Sequence, residues 1–387
     1  MHLLAGLPQL PNPGGRFLPI LIPMAIVGHA CIWIALLNVL YSQPLSKLFL
    51  KLWRLLTAII ILAAIPIAAY HLSSEMEFHQ FVVVYIYGCV LLGGVIFPLI
   101  TLLRLTAEAE RFKVDEYTVD YWKRLGANTI GHGFHSWAPL MPGNCVFQVE
   151  FTDLTLRPAQ LPTGLDGLSI LLLSDLHFHG TPSLAFFEAL FADIAAGPTP
   201  DIIILAGDYV DTDTHHEWLA PLLNKLKLHE AGFAILGNHD KYHNPERVRG
   251  ELTQLGYMVL NNKWNEVTIR GERVIVSGHE GPWFRPAPDI STVPKDIFHI
   301  CISHSPDNFY WGVRHNINLM LCGHVHGGGI RIPIVGSIFV PSIYGRRFDQ
   351  GVFQKQHTTM VVSRGISGKE PLRIRCRPQV IRITLKC

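Results

Sequence analysis

The residues best suited to chemistry are aspartates, histidines and one asparagine that follow short apolar runs at five points of the chain. They are Asp175 and His177; Asp208 and Asp211; Asn238, His239 and Asp240; His304; and His324 and His326. Carboxylate and amide oxygens and imidazole nitrogens bind Mn, Fe, Zn or Ni, and the absence of cysteine argues against a soft thiolate site. These side chains suffice for two ions. An aspartate that bridges two cations ~3.5 to 4 Å apart is a common way to direct a hydroxide at phosphorus.

Each of these groups follows an apolar run with the features of a buried β-strand. The runs cover residues 168–173, 202–206, 233–236, 300–302 and 319–322, and a further run at 274–276 precedes His279. They are short, rich in branched aliphatic residues and followed by small or polar residues, which is typical of strands. Helices are predicted between the early runs, one from Thr181-Pro182 and one from Asn244-Pro245 to Gly256. This alternation indicates a layered α/β fold, in which ligand groups collect at the carboxyl ends of strands.

Two stretches flank this α/β pattern. Residues 106–145 mix charged residues, aromatics and glycine, and we interpret them as a linker or collar that opens with an amphipathic helix through Glu108 to Arg124. From Val352 to Leu385, apolar residues alternate without a helical period. This alternation predicts further strands, which a second, more antiparallel sheet would accommodate.

Charged residues are distributed very unevenly along the 387-residue chain. Residues 1–105 carry seven charged side chains, whereas the remaining residues carry 55 of the 62 lysines, arginines, aspartates and glutamates. The charged fraction of the whole chain, 16 %, lies below the roughly 25 % of ordinary soluble domains. The composition therefore predicts a membrane domain at 1–105, a linker at 106–145 and a soluble domain at 146–387.

The first 105 residues contain three charge-free stretches, each long enough to cross ~30 Å of hydrocarbon. They are Phe17–Ser46, Leu55–Ser74 and Phe78–Leu103, and we interpret them as three transmembrane helices. Basic residues lie between the first two spans and after the third, and acidic residues lie between the second and third. These are Lys47, Lys51, Arg54, Arg104, Arg111 and Lys113, against Glu75 and Glu77. Because cytoplasmic loops carry an excess of Lys and Arg, we expect an inner-membrane protein with the soluble domain in the cytoplasm.

The composition also excludes several classes of protein. The formal net charge is +2, and no stripe of lysine and arginine with interleaved aromatics lies near the candidate metal ligands in the sequence. A nucleic-acid partner is therefore not expected. The seven cysteines include no Cys-x-x-Cys pair, so neither a disulfide framework nor a thiolate zinc site is implied.

Taken together, the ordered motifs resemble those of the calcineurin-like metallophosphoesterases. The resemblance rests on Asp175-Leu176-His177, Gly207-Asp208-Tyr209-Val210-Asp211, Gly237-Asn238-His239-Asp240, His304 and Gly323-His324-Val325-His326, and it covers roughly residues 150–387. The first and last motifs are more specifically similar to the membrane-associated bacterial branch, the YkuE/YaeI-like phosphoesterases. The resemblance implies a four-layer α/β/β/α sandwich, here preceded by three transmembrane helices.

The resemblance also implies a role for each residue of these motifs. Asp175, His177 and His326 would bind one divalent metal ion, and Asn238, His304 and His324 a second, whose identities stay open among Mn, Fe, Zn and Ni. Asp208 would bridge the two ions. His239 would face the phosphate and protonate the leaving oxygen. Either Asp211 or Asp240 would orient the His239 ring.

These inferences predict a membrane-anchored, metal-dependent phosphoesterase that hydrolyses phosphate ester or pyrophosphate bonds with a hydroxide held between two metal ions. A phosphorylated small molecule or a lipid-linked compound is the expected substrate. Some relatives resembling this branch cleave UDP-2,3-diacylglucosamine. The alternative is a non-catalytic membrane receptor or scaffold that retains the fold, for which loss of His239 or of a ligand would be expected. The oligomeric state is not predicted.

A few polar residues close to the motifs have two interpretations. Arg331, Arg346 and Arg347 follow the last motif and could clamp a phosphate with their planar guanidinium groups, or they could be structural. His279 ends a strand and could line the site or belong to a plain turn. His179 could contact substrate, although an exposed loop position is also consistent with its sequence context.

Overall fold

The computed structural model describes residues 18–73, 80–107, 113–333 and 335–387. The chain divides into two compact units. The described residues within Met1–Leu37 and Ser46–Ala109 form the first, which we call the helical unit. The described residues within Asn38–Leu45 and Glu110–Cys387 form the second, which we call the sandwich unit.

Three stretches of the described residues are long and apolar enough to cross a membrane, and they lie in the helical unit apart from residues 38–41: Ile20–Tyr41, Lys47–Ile67 and Phe81–Leu103. They belong to α1 (Leu18–Tyr41), α2 (Lys47–Ser73) and a third rod made of α3 (Gln80–Leu91), a π-helical turn (Leu92–Ile96) and α4 (Phe97–Ala107). The interpretation of Lys47, Lys51 and Arg54 as loop residues is wrong, because α2 begins at Lys47 and contains all three in its first turns. Glu75, Glu77 and Arg111 lie outside the described residues.

His29 is a polar side chain within apolar α1, and both of its ring nitrogens have partners. Nε2 lies 3.1 Å from the carbonyl oxygen of Ile60 on α2, and Nδ1 lies 2.7 Å from the hydroxyl of Tyr85 on α3. A carbonyl only accepts, so Nε2 donates to Ile60, and the Tyr85 hydroxyl is the partner of Nδ1. The histidine thus links three helices.

The sandwich unit is built on two large sheets. The first has seven strands in the order β1-β2-β15-β3-β4-β5-β6, and the second has six in the order β13-β14-β10-β9-β8-β7. The strands of the first sheet are β1 (Lys113–Asp120), β2 (Gln148–Leu156), β3 (Ser169–Leu173), β4 (Ile202–Leu205), β5 (Ala231–Ala234), β6 (Met258–Val259) and β15 (Gln379–Leu385). Those of the second are β7 (Trp264–Ile269), β8 (Glu272–His279), β9 (Phe298–Ser303), β10 (Leu319–Cys322), β13 (Gly351–Lys355) and β14 (Thr358–Val362). A small hairpin pairs β11 (Arg331–Ile332) with β12 (Gly336–Ser337).

Alternating side chains of each strand enter different cores, which produces four layers. Ile170 and Leu172 of β3 join Ile300 and Ile302 of β9 in a core between the two sheets. Leu171 and Leu173 instead pack with helices α6 (Leu184–Ala196), α7 (Leu219–Leu223) and α8 (Pro245–Gln254). On the far side, Cys301 and Met320 pack with α9 (Phe309–Arg314). The predicted α/β/β/α sandwich is confirmed.

Several strands of the two sheets run parallel, so their carboxyl ends lie at common edges. β3, β4 and β5 are parallel neighbours, with Leu172 opposite Ile204 and Ile204 opposite Phe233. β8, β9 and β10 are likewise parallel neighbours. The Nδ1 atom of His304, which follows β9, lies 2.7 Å from the carbonyl oxygen of Ala206, which follows β4. The strand ends of both sheets therefore meet.

Three predictions about secondary structure are wrong. Residues 113–120 form strand β1, antiparallel to β2, and only Tyr121–Leu125 (α5) of the predicted amphipathic helix is helical. Residues 108–112 lie outside the described part of the chain. β15 enters the first sheet between β2 and β3 instead of joining the second. The second sheet is parallel across β14, β10, β9 and β8, and antiparallel only at its edge strands. Pairing partners distant in the sequence override these local patterns.

The segment Asn38–Leu45, which comprises the end of α1 and the turn that follows it, belongs to the sandwich unit. Asn38 Oδ1 accepts a hydrogen bond of 3.1 Å from the backbone of Val340, and its amide nitrogen donates to the carbonyl of Ile338 at 3.4 Å. The ring of Tyr41 packs edge-on against Phe339, with ring centroids 5.1 Å apart. Within the sandwich unit, Asn38 and Tyr41 thus contact the segment that follows β12.

Candidate metal centre

The turns that follow β3 and β4 are held together by backbone hydrogen bonds. The N–H of Asp175 donates to the carbonyl of Gly207 at 2.9 Å, and the N–H of His177 donates to that of Asp208 at 3.0 Å. The turn after β10 joins them, because the N–H of His324 donates to the carboxylate of Asp175 at 3.1 Å. Three turns from distant parts of the sequence thus become one surface.

The backbone of this surface is strained at five residues whose side chains are candidate metal ligands. Their φ angles are positive: Asp175 56°, His177 47°, Asp208 60°, His324 73° and His326 52°. Non-glycine residues in this region cost of the order of 1 to 3 kcal/mol each and cluster at functional sites, where the surroundings enforce the conformation. The five residues in this conformation all contribute side chains to the candidate metal centre.

Two clusters of side chains at this point share the carboxylate of Asp208, and a third cluster of His177, Asp211 and His239 adjoins them. Ligand atoms of Asp175, His177, Asp208 and His326 lie within 4.8 Å of one another, and so do those of Asp208, His304 and His324. Asn238 Oδ1 lies 3.0 Å from His304 Nε2. The structure therefore brings together all seven residues that the sequence analysis proposed as metal ligands, with Asp208 in both clusters.

Two buried polar atoms of these clusters have no hydrogen-bond partner among the described residues: Asp208 Oδ2 and His324 Nε2. His304 Nε2 approaches Asp208 Oδ2 to 3.3 Å and His177 Nε2 approaches it to 3.6 Å. A buried polar group without a partner costs ~1 to 3 kcal/mol, which a cation bound to these atoms would offset. The oxygen and nitrogen donors fit divalent Mn, Fe, Zn or Ni.

Hydrogen bonds to the other ring nitrogen orient three of the histidines. Nδ1 of His304 donates to the carbonyl of Ala206 at 2.7 Å, and Nδ1 of His326 donates to that of Ser367 at 3.0 Å. Nδ1 of His177 donates to Asp211 Oδ2 at 3.1 Å. With the proton on Nδ1, the lone pair of each Nε2 is free to bind a metal.

Asp211 and Asp240 make different contacts, which separates the two candidates for orienting His239. Asp211 Oδ1 hydrogen-bonds His239 Nδ1, while its other oxygen holds His177. The carboxylate of Asp240 accepts backbone N–H groups of Asp208, Tyr209 and Gly237 at 2.8 to 2.9 Å. Asp240 therefore links the turns that follow β4 and β5, and Asp211 is the carboxylate that contacts the His239 ring.

The charges of the site favour a protonated His239. Burial disfavours its charge, but the carboxylates of Asp211 and Asp208 outweigh burial and raise the pKa of His239 to about 9. Burial would also raise the pKa of Asp208, yet His304 and His239 hold that pKa well below the usual range. The His239 side chain is 23 % exposed and its Nδ1 is engaged by Asp211, so Nε2 is the ring atom left to donate a proton.

Two residues that support the site were not singled out from the sequence. Trp283 packs against the rings of His324 and His304, with centroid distances of 4.6 and 5.5 Å. The buried guanidinium of Arg373 donates to the carbonyl oxygens of His326, Arg364 and Ser367. Neither residue lies in a recognisable motif, and no local signal could have found them.

The remaining candidates make contacts with protein groups. Arg331 donates to Asp349 at 2.8 Å, Arg346 donates to the carbonyl of Val335, and Arg347 lies over the rings of Tyr310 and Phe348. Their role in substrate binding stays a prediction. Nδ1 of His279, the last residue of β8, contacts the N–H of Gly281 and the amide of Asn308, and both interpretations of this residue stay predictions. His179 is buried, which lowers its pKa to about 4, so the interpretation as an exposed loop residue is wrong.

Comparison with known proteins agrees with this geometry. The sequence profile of the family described as Calcineurin-like phosphoesterase matches residues 168–328. The chain is 30 % identical over 270 residues to the uncharacterized metallophosphoesterase YkuE of Bacillus subtilis, covering 67 % of this chain and 92 % of that protein. It is also 30 % identical over 223 residues to phosphodiesterase YaeI of Escherichia coli, covering 56 % and 81 %. A zebrafish transmembrane protein with a metallophosphoesterase domain is 25 % identical over 260 residues, covering 61 % and 57 %.

Proposed function

Because the chain belongs to the calcineurin-like phosphoesterases, a family of metal-dependent phosphoester hydrolases, we propose that it is a membrane-anchored enzyme with two divalent metal ions. Asp175, His177 and His326 would hold one ion, and Asn238, His304 and His324 the other. Asp208 would bind both. The observation that carries this assignment is the buried Oδ2 of Asp208, which has no hydrogen-bond partner among the described residues and on which histidines of both clusters converge.

The chain's own groups have distinct tasks in hydrolysis. The two ions, when bound, supply Lewis acidity toward water and toward the phosphoryl oxygens. His239 keeps a proton on Nε2, since Nδ1 is engaged by Asp211, and gives it to the oxygen that leaves phosphorus. Asp211 fixes the orientations of the His177 and His239 rings together. Trp283 covers the second cluster and limits the access of water to it.

The membrane placement is part of the proposal. Three helices have the length and composition of spans, and the α1–α2 turn belongs to the sandwich unit. The turn adjoins Lys47, Lys51 and Arg54, at the end of α2 that the positive-inside rule assigns to the cytoplasm. The metal centre would then face the cytoplasm beside the inner membrane, where a lipid-linked phosphate or pyrophosphate such as UDP-2,3-diacylglucosamine is accessible. A non-catalytic scaffold is disfavoured, since His239 and all seven ligands are present.

Two substitutions test the assignment on the full chain in detergent. Asp208→Asn is expected to lose bound metal and activity together, because the amide is a weaker ligand than the carboxylate. His239→Ala should keep its metal and lose turnover by about 10²- to 10⁴-fold, as a lost general acid does. Metal content and hydrolysis of bis(p-nitrophenyl) phosphate are the measurements.

His229→Ala is a matched control, because His229 is 62 % exposed and precedes β5, at the opposite end of that strand from Asn238. It should leave both quantities unchanged. Full metal content and activity in Asp208→Asn would contradict the assignment. Comparing nucleotide-lipid pyrophosphates with simple phosphodiesters tests the membrane substrate, and failure on every lipid substrate would remove that part of the proposal.

A further inference from the structure

The segment of residues 338–343, which we call the strap, follows β12 and packs against the turn that carries the last two candidate metal ligands. A Cβ on Gly328, at the end of that turn, would lie 3.3 Å from Cγ2 of Val340 in the strap. Val340 is buried in the same core as Val325, the residue between the two ligating histidines. The Val340 side chain is therefore part of the support of this turn.

The far end of the strap is bound to a second turn that carries a ligand. The N–H of Ile343 donates to Asp307 Oδ2 at 3.0 Å, and the hydroxyl of Ser342 donates to the other oxygen of the same carboxylate. Asp307 follows His304 by three residues. The strap thus connects the turns of His304 and His324, the two histidines that are proposed to hold the same ion. A displaced strap would change the separation of these two ligands.

Asn38 fixes the middle of the strap. It lies in the last turn of α1 and belongs, like the strap, to the sandwich unit. Its Oδ1 accepts from the N–H of Val340 at 3.1 Å, and its amide nitrogen donates to the carbonyl of Ile338 at 3.4 Å. Asn38 is 3 % exposed and Val340 is fully buried, so water does not replace this acceptor. Because a buried backbone N–H requires a partner, the conformation of the strap depends on the Asn38 side chain.

We propose that Asn38 is a positioning residue of the metal centre: by holding Val340, it keeps His304 and His324 at the separation that their shared ion requires. This inference rests on the proposed function, which assigns both histidines to one ion. Asn38 acts through the strap and takes no part in the chemistry. It lies near the end of Ile20–Tyr41, a stretch long enough to cross a membrane. The end of the first span is therefore part of the support of the metal centre.

The test measures Mn²⁺ binding to the full-length, metal-free protein in detergent by calorimetry. Asn38→Ala removes the acceptor of the Val340 N–H and should weaken one of the two Mn²⁺ ions by about tenfold. Asn38→Asp keeps an acceptor oxygen and should recover most of the affinity. Hydrogen exchange of the metal-free protein is a second readout. Asn38→Ala should increase exchange in peptides that contain residues 323–329, which lie in the supported turn.

Asn318→Ala is a matched control, because Asn318 is also 3 % exposed and makes the same kinds of bond. Its Oδ1 accepts from the buried N–H of His299 at 2.8 Å, and its amide donates to the carbonyl of Ala159 at 3.1 Å. It directly precedes β10, at the opposite end of that strand from His324. We expect thermal unfolding to fall as in Asn38→Ala, whereas Mn²⁺ affinity should stay within about twofold of the native value.

Val340→Ala tests the strap even if Asn38→Ala does not fold. Asn38 bonds the backbone of Val340, so this variant removes only side-chain atoms that meet Gly328, and it should weaken the same ion. Unchanged Mn²⁺ affinity in Asn38→Ala or in Val340→Ala, or an equal loss in Asn318→Ala, would overturn the inference.

The same measurements separate this inference from the proposed function. If the native protein binds two Mn²⁺ ions and hydrolyses no phosphoester while Asn38→Ala still weakens one ion, the proposed function fails and the positioning role stands. If the native protein hydrolyses phosphoesters and Asn38→Ala behaves like Asn318→Ala, the positioning role fails and the proposed function stands. Binding of fewer than two Mn²⁺ ions by the native protein would contradict both.

Discussion

Asp211 and Asp240 have the same side chain but opposite tasks. Asp211 hydrogen-bonds two imidazoles, those of His177 and His239, whereas Asp240 accepts only backbone N–H groups from two neighbouring turns. Spacing in the sequence could not separate them, because both lie in candidate motifs. Asp211 lies three residues after Asp208, and Asp240 directly follows His239. At this scale the atom that a carboxylate contacts decides whether it serves chemistry or stability.

Asp211→Asn is expected to lower kcat or metal affinity by about 10- to 100-fold, as loss of a carboxylate behind a ligating histidine does. The two Nδ1–H groups contact different oxygens of Asp211, and in the amide one of these positions becomes an NH2 group that cannot accept. Activity, metal content and thermal unfolding are the measurements, and unfolding should change little.

Asp240→Asn serves as the contrasting variant. Its amide nitrogen would face backbone N–H groups, so we expect a loss of about 1 to 3 kcal/mol in the free energy of unfolding. If both variants lost activity equally at unchanged stability, the division of tasks between Asp211 and Asp240 would be wrong.

At the scale of elements, the glycines of the motifs are required by close approach between strand ends. A Cβ on Gly237 would lie 2.1 Å from Asp208 Oδ1 and 2.5 Å from the ring of His304. A Cβ on Gly323 would lie 2.7 Å from Asp175 Oδ2. A glycine after one strand therefore makes room for a ligand that follows another, which explains why the motifs contain Gly-Asn and Gly-His.

Gly237→Ala should displace Asp208 and His304, and we expect metal content and activity to fall by about tenfold or more, with a stability loss of about 1 to 3 kcal/mol. Gly250→Ala is the control, since Gly250 lies in α8 and no atom lies within 4 Å of its Cβ position. Alanine there should raise stability by roughly 0.5 to 1 kcal/mol. Retention of full metal content by Gly237→Ala would refute the role assigned to this glycine.

For the whole molecule, the open question of orientation can be answered with a native cysteine. Of the free cysteines in the sandwich unit, Cys387 is exposed, whereas Cys145, Cys301, Cys322 and Cys376 are buried. A membrane-impermeant maleimide should label Cys387 only after the cells are permeabilised, because the metal centre is proposed to face the cytoplasm. Cys387→Ser controls for background. Labelling of intact cells would place the sandwich unit outside.

Patterns close together in the sequence determined much of this protein. Apolar runs and the polar residues that end them predicted the central strands, the three apolar helices and the residues that gather at the metal centre. These features depend on side-chain periodicity, spacing and charge, which a short window of sequence contains. The family resemblance then assigned roles within that set.

Only the tertiary structure decided which elements become neighbours. Residues 113–120 form a strand because β2 offers them a sheet edge, and β15 lies between β2 and β3 although its chain neighbours lie in the other sheet. The same pairings bring Phe134 to Lys369 and Arg373 to His326. Each contact joins residues that are far apart in the sequence, so no local pattern contains both of them. The free energy of such a contact depends on packing and hydrogen bonding in the folded chain and not on spacing along it.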